Sequence, residues 1–244
     1  MISNYTTKNW EHQIRHFDLI EKVSKGIFLF LLTFCSTMSI QAQDTFTSVK
    51  SGNYSDPATW GTTELPTAAD DVVVSTGNTI TLDGDFTANN VIIDGKIEAS
   101  TSSFEYTVKG DLVLSTSGLF IGNYYVDYGN YGFYKGMKLT VSGSILNDGR
   151  IDLSLGETND GNGVLKLNGT LLQTISGTGR FGGVITATDN SNTRSVINQL
   201  EIDNTSTATP NIVWELKNIR MKSILALTNA RVNLFSNKMT IGNY

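Results

Sequence analysis

The feature of this sequence best suited to chemistry at a surface is an aromatic cluster. Tyr124, Tyr125, Tyr128, Tyr131 and Tyr134 fall close together with Phe133, interleaved with Gly122, Gly129, Gly132 and Gly136. A tyrosine ring offers a flat apolar face and a polar tip, which suits stacking on a sugar ring or docking a protein partner. The same rings could instead pack on one another and seal the side of a scaffold. Carboxylates come next. Glycoside cleavage needs only two of them, and the pairs close in sequence are Asp152 with Glu157 and Asp70 with Asp71. Neither pair carries a catalytic signature. Asp70-Asp71, Asp83 with Asp85, and the run Asn159-Asp160-Gly161-Asn162-Gly163 are oxygen-rich and could hold calcium. None has the ligand spacing of an EF-hand loop, and turn formation alone accounts for all three. The expectation is therefore no cofactor, with calcium as the alternative.

Histidine and cysteine chemistry is confined to the first residues. His12, His16 and Cys35 are the two histidines and the one cysteine of the 244-residue chain. They lie in a segment that reads as a secretory signal. Gly26 to Ile40 form an uncharged, largely apolar run behind Lys22 and Lys25, followed by Gln41-Ala42-Gln43. A basic flank, an apolar core and a small residue at the exit predict cleavage between Ala42 and Gln43. The run is shorter than the roughly 20 apolar residues of a membrane span, so no membrane span is expected after cleavage. Phe34 before Cys35, with apolar sequence continuing beyond, argues against a lipoprotein signal.

Beyond Ala42 the chain has no imidazole and no thiol. Ser-His-Asp and Cys-His nucleophile systems are excluded there, as are imidazole- or thiolate-bound metals. Removing the four basic and three acidic residues of the first 42 leaves 14 basic and 20 acidic ones. That balance, with an isoelectric point near 5.0, argues against a nucleic-acid partner. The expectation is a protein without enzymatic activity.

The elements that must carry these residues read as short strands. Runs of Val, Ile, Leu and Thr recur at Val72–Ser75, Asn78–Leu82, Asn90–Ile93, Tyr106–Val108 and Asp111–Leu114. Later ones are Lys138–Val141, Val164–Leu167, Leu200–Ile202, Ile224–Leu227 and Met239–Ile241. Apolar and polar residues alternate within many of them, the period of a strand with one buried face. Asp83-Gly84, Asp94-Gly95, Asp148-Gly149 and Asn168-Gly169 punctuate them with residues that tolerate positive φ.

A repeat is also present. Thr107–Gly122 aligns with Thr140–Ser154, and more loosely with Lys166–Phe181, with Gly110, Gly143 and Gly169 in step. A further relative is Ser223–Phe235, with Asn229 at a turn. Repetition of a strand–turn–strand unit predicts an all-β fold, a right-handed parallel β-helix (β-solenoid) over 43–244, with a β-sandwich as the alternative. Ile145 and Leu167 are expected to point inward, Trp60 to plug the start, and the tyrosine-rich segment to form an insertion loop. The chain stops within what reads as another coil, so the domain is expected to be truncated at its C-terminal end.

Ser48–Asp85 (SVKSGNYSDPATWGTTELPTAADDVVVSTGNTITLDGD) carries a family resemblance through Trp60, Pro66, Asp70, Asp71, Val72–Val74 and Thr79–Asp83. It resembles the opening of secreted, surface-associated β-helix proteins of Bacteroidetes-type bacteria, and is similar to the eight-glycine extracellular domain. Tyr54 stands where a Trp is common. The resemblance implies a β-helical, adhesin-like protein at the outer cell surface, in longer members delivered by a type IX secretion sorting domain. It implies extracellular glycans or surface proteins as partners, and a structural or adhesive role. The alternative is the non-catalytic front portion of a larger polysaccharide lyase or hydrolase.

Overall fold

The computed structural model describes residues 43–100, 104–127, 132–153, 163–182, 195–216, 219–235 and 239–241. The expected signal segment, Tyr128, Tyr131, Glu157 and the run from Asn159 to Asn162 lie outside them.

The chain begins with β1 (Thr45–Thr47), β2 (Gly52–Asn53) and a single helical turn, α1 (Pro57–Trp60). It then runs through β3 (Asp71–Val74), β4 (Thr79–Leu82) and β5 (Phe86–Ala88), and through β6 (Val91–Ile93), β7 (Lys96–Ala99) and β8 (Glu105–Val108). Next come β9 (Leu112–Leu114), β10 (Leu119–Ile121), β11 (Asn123–Asp127), β12 (Gly132–Gly136) and β13 (Lys138–Val141). β14 (Ile145–Asn147), β15 (Arg150–Asp152) and β16 (Val164–Leu167) follow, then β17 (Gln173–Ser176), β18 (Arg180–Phe181) and β19 (Ser195–Asp203). The last are β20 (Ile212–Trp214), β21 (Ile219–Thr228), β22 (Val232–Asn233) and β23 (Met239–Ile241).

These strands sort into three parallel sheets by strict rotation. Sheet I has the order β1-β3-β6-β9-β14-β17-β20-β22, sheet II β18-β15-β10-β7-β4-β2, and sheet III β23-β21-β19-β16-β13-β8-β5. Among the described residues, from β3 to β19 each round of chain adds one strand to each sheet in turn, with β11 and β12 interposed. Parallel pairing throughout these sheets departs from the antiparallel sandwich held as the alternative. All ten strand runs read from the sequence fall on strands.

Register explains why short strands suffice. In sheet I, Val72, Val91, Leu112, Ile145, Ile175 and Trp214 share one position. Ile80, Ile97, Phe120, Ile151 and Phe181 do so in sheet II. Tyr106, Leu139, Leu165 and Leu200 do so in sheet III. All are buried, as are Ile145 and Leu167 in particular. Burying each such side chain is worth about 1.5–3 kcal/mol. The repeat is a register too: Thr107 pairs with Thr140, and Thr140 with Lys166.

The corners are held by backbone-directed side chains. At the entrance to sheet I, Asp71 Oδ1 accepts the Asn90 N–H at 3.0 Å and Asn90 Oδ1 accepts the Asp111 N–H at 2.8 Å. Asp111 Oδ1 accepts the Ser144 N–H at 2.7 Å, and Ser144 Oγ the Thr174 N–H at 3.1 Å. Each of these bonds is worth about 0.5–1.5 kcal/mol net. Further along the same corner, buried Gln173, Asn204 and Asn211 take over. Asn204 Nδ2 donates to Gln173 Oε1 at 2.8 Å and Asn211 Nδ2 to the Asn204 carbonyl at 2.9 Å.

The turn glycines act differently from the sequence expectation. Gly84, Gly95, Gly149 and Gly169 are not among the positive-φ glycines of the described residues, which are Gly61, Gly77, Gly177 and Gly182. Gly95, Gly118, Gly149 and Gly179 instead occupy one stacked corner, where an added Cβ would collide with a carbonyl oxygen of the preceding round. Absence of a side chain, not φ, is what that corner requires.

Aromatic rings fill the start of the interior. Asp56 caps α1 by accepting the Ala58 N–H at 2.9 Å, Pro57 opens the turn, and Gly61 closes it at φ 69°. Trp60, read as a plug, is buried; its Nε1 donates to the Tyr54 carbonyl at 2.9 Å. Tyr54 stacks on Phe86 with ring centroids 4.0 Å apart and meets Tyr106 edge-on at 5.8 Å. Burial pushes the Tyr54 phenol up to about 12 and the Tyr106 phenol well above its usual value.

Candidate functional site

The tyrosine-rich segment is an antiparallel hairpin, where the sequence reading expected an insertion loop. It does interrupt the rotation of strands, between β10 of sheet II and β13 of sheet III. Tyr125 pairs with Tyr134, Tyr124 with Lys135, and Val126 with Phe133. Strand alternation puts positions 124, 126, 133 and 135 on one face of the ribbon and 125 and 134 on the other. Tyr124, Tyr125 and Tyr134 are thus brought onto two paired strands; Tyr128 and Tyr131 belong to the part outside the described residues.

Glycines make the exit of this hairpin. The Gly122 N–H donates to the Asp152 carbonyl at 2.7 Å, and the Met137 N–H returns to the Gly122 carbonyl at 2.7 Å. A Cβ on Gly122 would strike the Met137 side chain, and one on Gly136 would strike the Leu153 carbonyl and Gly163. Met137 and Leu153 are themselves buried at this root. Two close-packed glycines therefore let the chain leave the scaffold and re-enter it within one residue of the ladder.

Beside the root lies the outward row of sheet II. Lys96, Leu119, Arg150 and Arg180 share one register position, with Ile97, Phe120, Ile151 and Phe181 alternating inward. Lys96 pairs with Glu98. Arg150 Nη2 lies 3.2 Å from Asp152 Oδ2, while Arg150 Nε is buried with no hydrogen-bond partner. Among the described residues no carboxylate is paired with Arg180. The two arginines were not singled out in the sequence, because they stand thirty residues apart. The signal available was the recurrence of Gly149-Arg150 as Gly179-Arg180 in the third repeat.

The other two outward rows differ from it. Sheet III carries matched charges, Lys138 with Glu105 at 3.3 Å and Lys166 with Glu201 at 3.9 Å. Sheet I places Val73, Ile92, Val113 and Leu146 at one outward position, with Ile92 and Leu146 exposed.

The candidate carboxylates are engaged in turns. Asp70 Oδ2 accepts from the Thr67 N–H at 2.8 Å and Oγ1 at 2.6 Å, and Oδ1 accepts the Asp44 N–H at 3.0 Å. Burial pushes the Asp70 carboxyl up, but these bonds outweigh it and hold the group below its ordinary value. The neighbouring Asp71 is also held low: desolvation opposes ionisation, and the Asn90 N–H with the Asn89, Gln43 and Asn90 amides prevails. Both are therefore ionised bases of low strength, and they face different neighbours. Asp83 accepts the Ser55 N–H at 3.2 Å, and Asp85 the Glu105 N–H at 2.7 Å. Asp152 is buried beside Arg150, while its sequence partner Glu157 lies outside the described residues. Among the described residues no group of three or more His, Cys, Asp or Glu side chains could hold a metal ion, and no helix is long and apolar enough to cross a membrane.

Comparison of the chain with protein-family models, with curated proteins and with solved structures finds no match to any of them.

Proposed function

We propose that this chain is an exported, non-catalytic β-solenoid, a right-handed parallel β-helix whose adhesive or structural work is done at the outer cell surface. Its aromatic hairpin meets extracellular glycans or a surface protein. The rotation of successive strands through three parallel sheets supports the solenoid. The resemblance of Ser48–Asp85 to Bacteroidetes-type surface proteins, with the signal-like run ahead of Ala42, supports export. The observation that carries the adhesive role is the hairpin itself. It is antiparallel where the described strands of the scaffold pair in parallel, and it concentrates tyrosines on a ribbon rooted in close-packed glycines. The ribbon pairs within itself and adds no strand to the three parallel sheets, and tyrosine rings are suited to sugar stacking.

The test is a glycan array probed with the chain from Gln43 onward and with Tyr124, Tyr125 and Tyr134 all replaced by Ala. Binding by the parent protein and its loss in the variant, at an unchanged melting temperature, is the expected result. A variant that melts far lower while keeping its array signal would make the rings a packing device and overturn the reading.

A further inference from the structure

We propose that Arg150 and Arg180, stacked on adjacent strands of sheet II beside the hairpin root, form an anion subsite that takes the carboxylates of an acidic polysaccharide. This rests on the hairpin reading above and gives it a ligand class.

Adjacent parallel strands lie about 4.8 Å apart, so the direct pairing of Arg150 with Arg180 sets two permanent cations side by side. Like charges at that spacing repel unless something negative lies between them. Asp152 serves Arg150, and among the described residues no carboxylate serves Arg180. Among the described residues the pair thus carries one ion pair for two guanidinium groups, in contrast to the one-to-one pairs of sheet III.

The backbone beneath them is fixed. The Arg150 N–H donates to the Gly118 carbonyl and the Arg180 N–H to the Gly149 carbonyl, both at 3.0 Å. Asn147 Nδ2 holds the Arg180 carbonyl at 3.0 Å, and Asp148 Oδ1 accepts both the N–H and the hydroxyl of Thr178 at 2.8 and 2.9 Å. The two side chains therefore leave a corner that is already ordered, which lowers the entropic cost of ligand binding.

Position along the strand supplies the link to the hairpin. Asp152, two residues beyond Arg150, accepts the Gly122 N–H through its carbonyl where the hairpin departs. Two residues of strand are about 7 Å, within the span of neighbouring sugar units. Aromatic faces would stack on the rings, while the guanidinium groups take carboxylate oxygens in bidentate fashion. A neutral glycan would satisfy only the first. Because the chain as a whole is acidic, with a formal net charge of -5, long-range steering does not help an acidic ligand. The attraction must be local and salt-sensitive.

The probes are polygalacturonate, dextran sulfate and a neutral glucan, titrated by calorimetry against the chain from Gln43 onward and against Arg180→Gln, Arg180→Lys and the triple tyrosine variant. The expected result is binding of polygalacturonate that weakens about tenfold or more in Arg180→Gln, weakens less in Arg180→Lys, and falls with added salt. Dextran sulfate binding more tightly than polygalacturonate would overturn the carboxylate assignment. Equal binding of the neutral glucan, or polygalacturonate affinity unchanged in Arg180→Gln, would overturn the subsite and leave the hairpin reading intact. Retention of all binding by the triple tyrosine variant would overturn the hairpin reading and leave the arginines standing. Should Arg180→Gln melt far below the parent while Arg180→Lys does not, the cation holds the fold and the subsite is overturned.

Discussion

Asp70 and Asp71 are neighbours in sequence that tie the chain in two directions. Asp70 reaches back to Asp44 and Thr67, and Asp71 forward to Asn89 and Asn90. Both carboxyls titrate below the ordinary value of 3.8 in the folded chain. A carboxyl depressed on folding contributes stability above its unfolded value and loses it as pH falls through the folded one. The melting temperature is therefore expected to hold steady down to about that ordinary value, then to fall as acid protonates the pair. Asp70 is 3% exposed and accepts three bonds. Asp70→Asn leaves an amide facing donors it cannot accept from, at a cost of about 1–3 kcal/mol near neutral pH. Because the substituted group does not titrate, the acid limb of the variant should be shallower than that of the parent. Thermal melts across the acid range read both effects, and parallel curves for the two proteins would remove Asp70 from the account. The sequence made these residues conspicuous as a carboxylate pair. Only the register of β3 against its neighbours, which linear order does not contain, turns them into corner ties.

At the scale of elements, the corner leading into sheet II is built for close approach of backbone. Gly149 lies against the Gly118 carbonyl, leaving no room for a side chain, whereas a Cβ on Gly84 would meet Phe86 Cζ at an ordinary 3.4 Å. Gly149→Ala should cost about 1–3 kcal/mol by forcing β10 and β15 apart, while Gly84→Ala should change stability by less than about 0.5 kcal/mol. Chemical denaturation of the two variants makes the comparison; equal costs would mean that the stacking of these glycines is incidental. Such stacking is not legible in a dipeptide such as Asp148-Gly149, which reads as a positive-φ turn. Period-two alternation, by contrast, made runs such as Lys138–Val141 and Val164–Leu167 readable, because each buries one face regardless of its partner. Lys96–Ala99 and Arg150–Asp152 were not readable, since their outward charges dilute three or four residues of pattern. The hairpin escaped for a related reason: glycine and tyrosine at Asn123–Gly136 give no alternation of apolar with polar. The Arg150–Arg180 pair is legible only once Gly149-Arg150 and Gly179-Arg180 are recognised as one position in successive rounds.

For the whole molecule, the proposed solenoid carries a thermodynamic consequence that a two-layer fold would not share. Among the described residues, each strand of the three sheets pairs with the strands of the rounds before and after it. Stability is then a sum of round-by-round terms, and damage spreads from its origin. Ile145 tests this because it sits mid-way in the buried row of sheet I, between Leu112 and Ile175. Ile145→Asp places a carboxylate among aliphatic side chains with no cation in the row, a change costing several kcal/mol. Native-state hydrogen exchange should then show lost protection first at the amides of β9, β14 and β17. The opening rounds, where Tyr54, Trp60, Phe86 and Tyr106 pack ring against ring, should hold protection until more denaturant is added. A single core shared by face-packed layers would instead lose protection everywhere at one denaturant concentration. Uniform loss across β3 and β14 would therefore remove the round-by-round account, and with it the idea of a scaffold that tolerates an inserted hairpin because its neighbours are held independently.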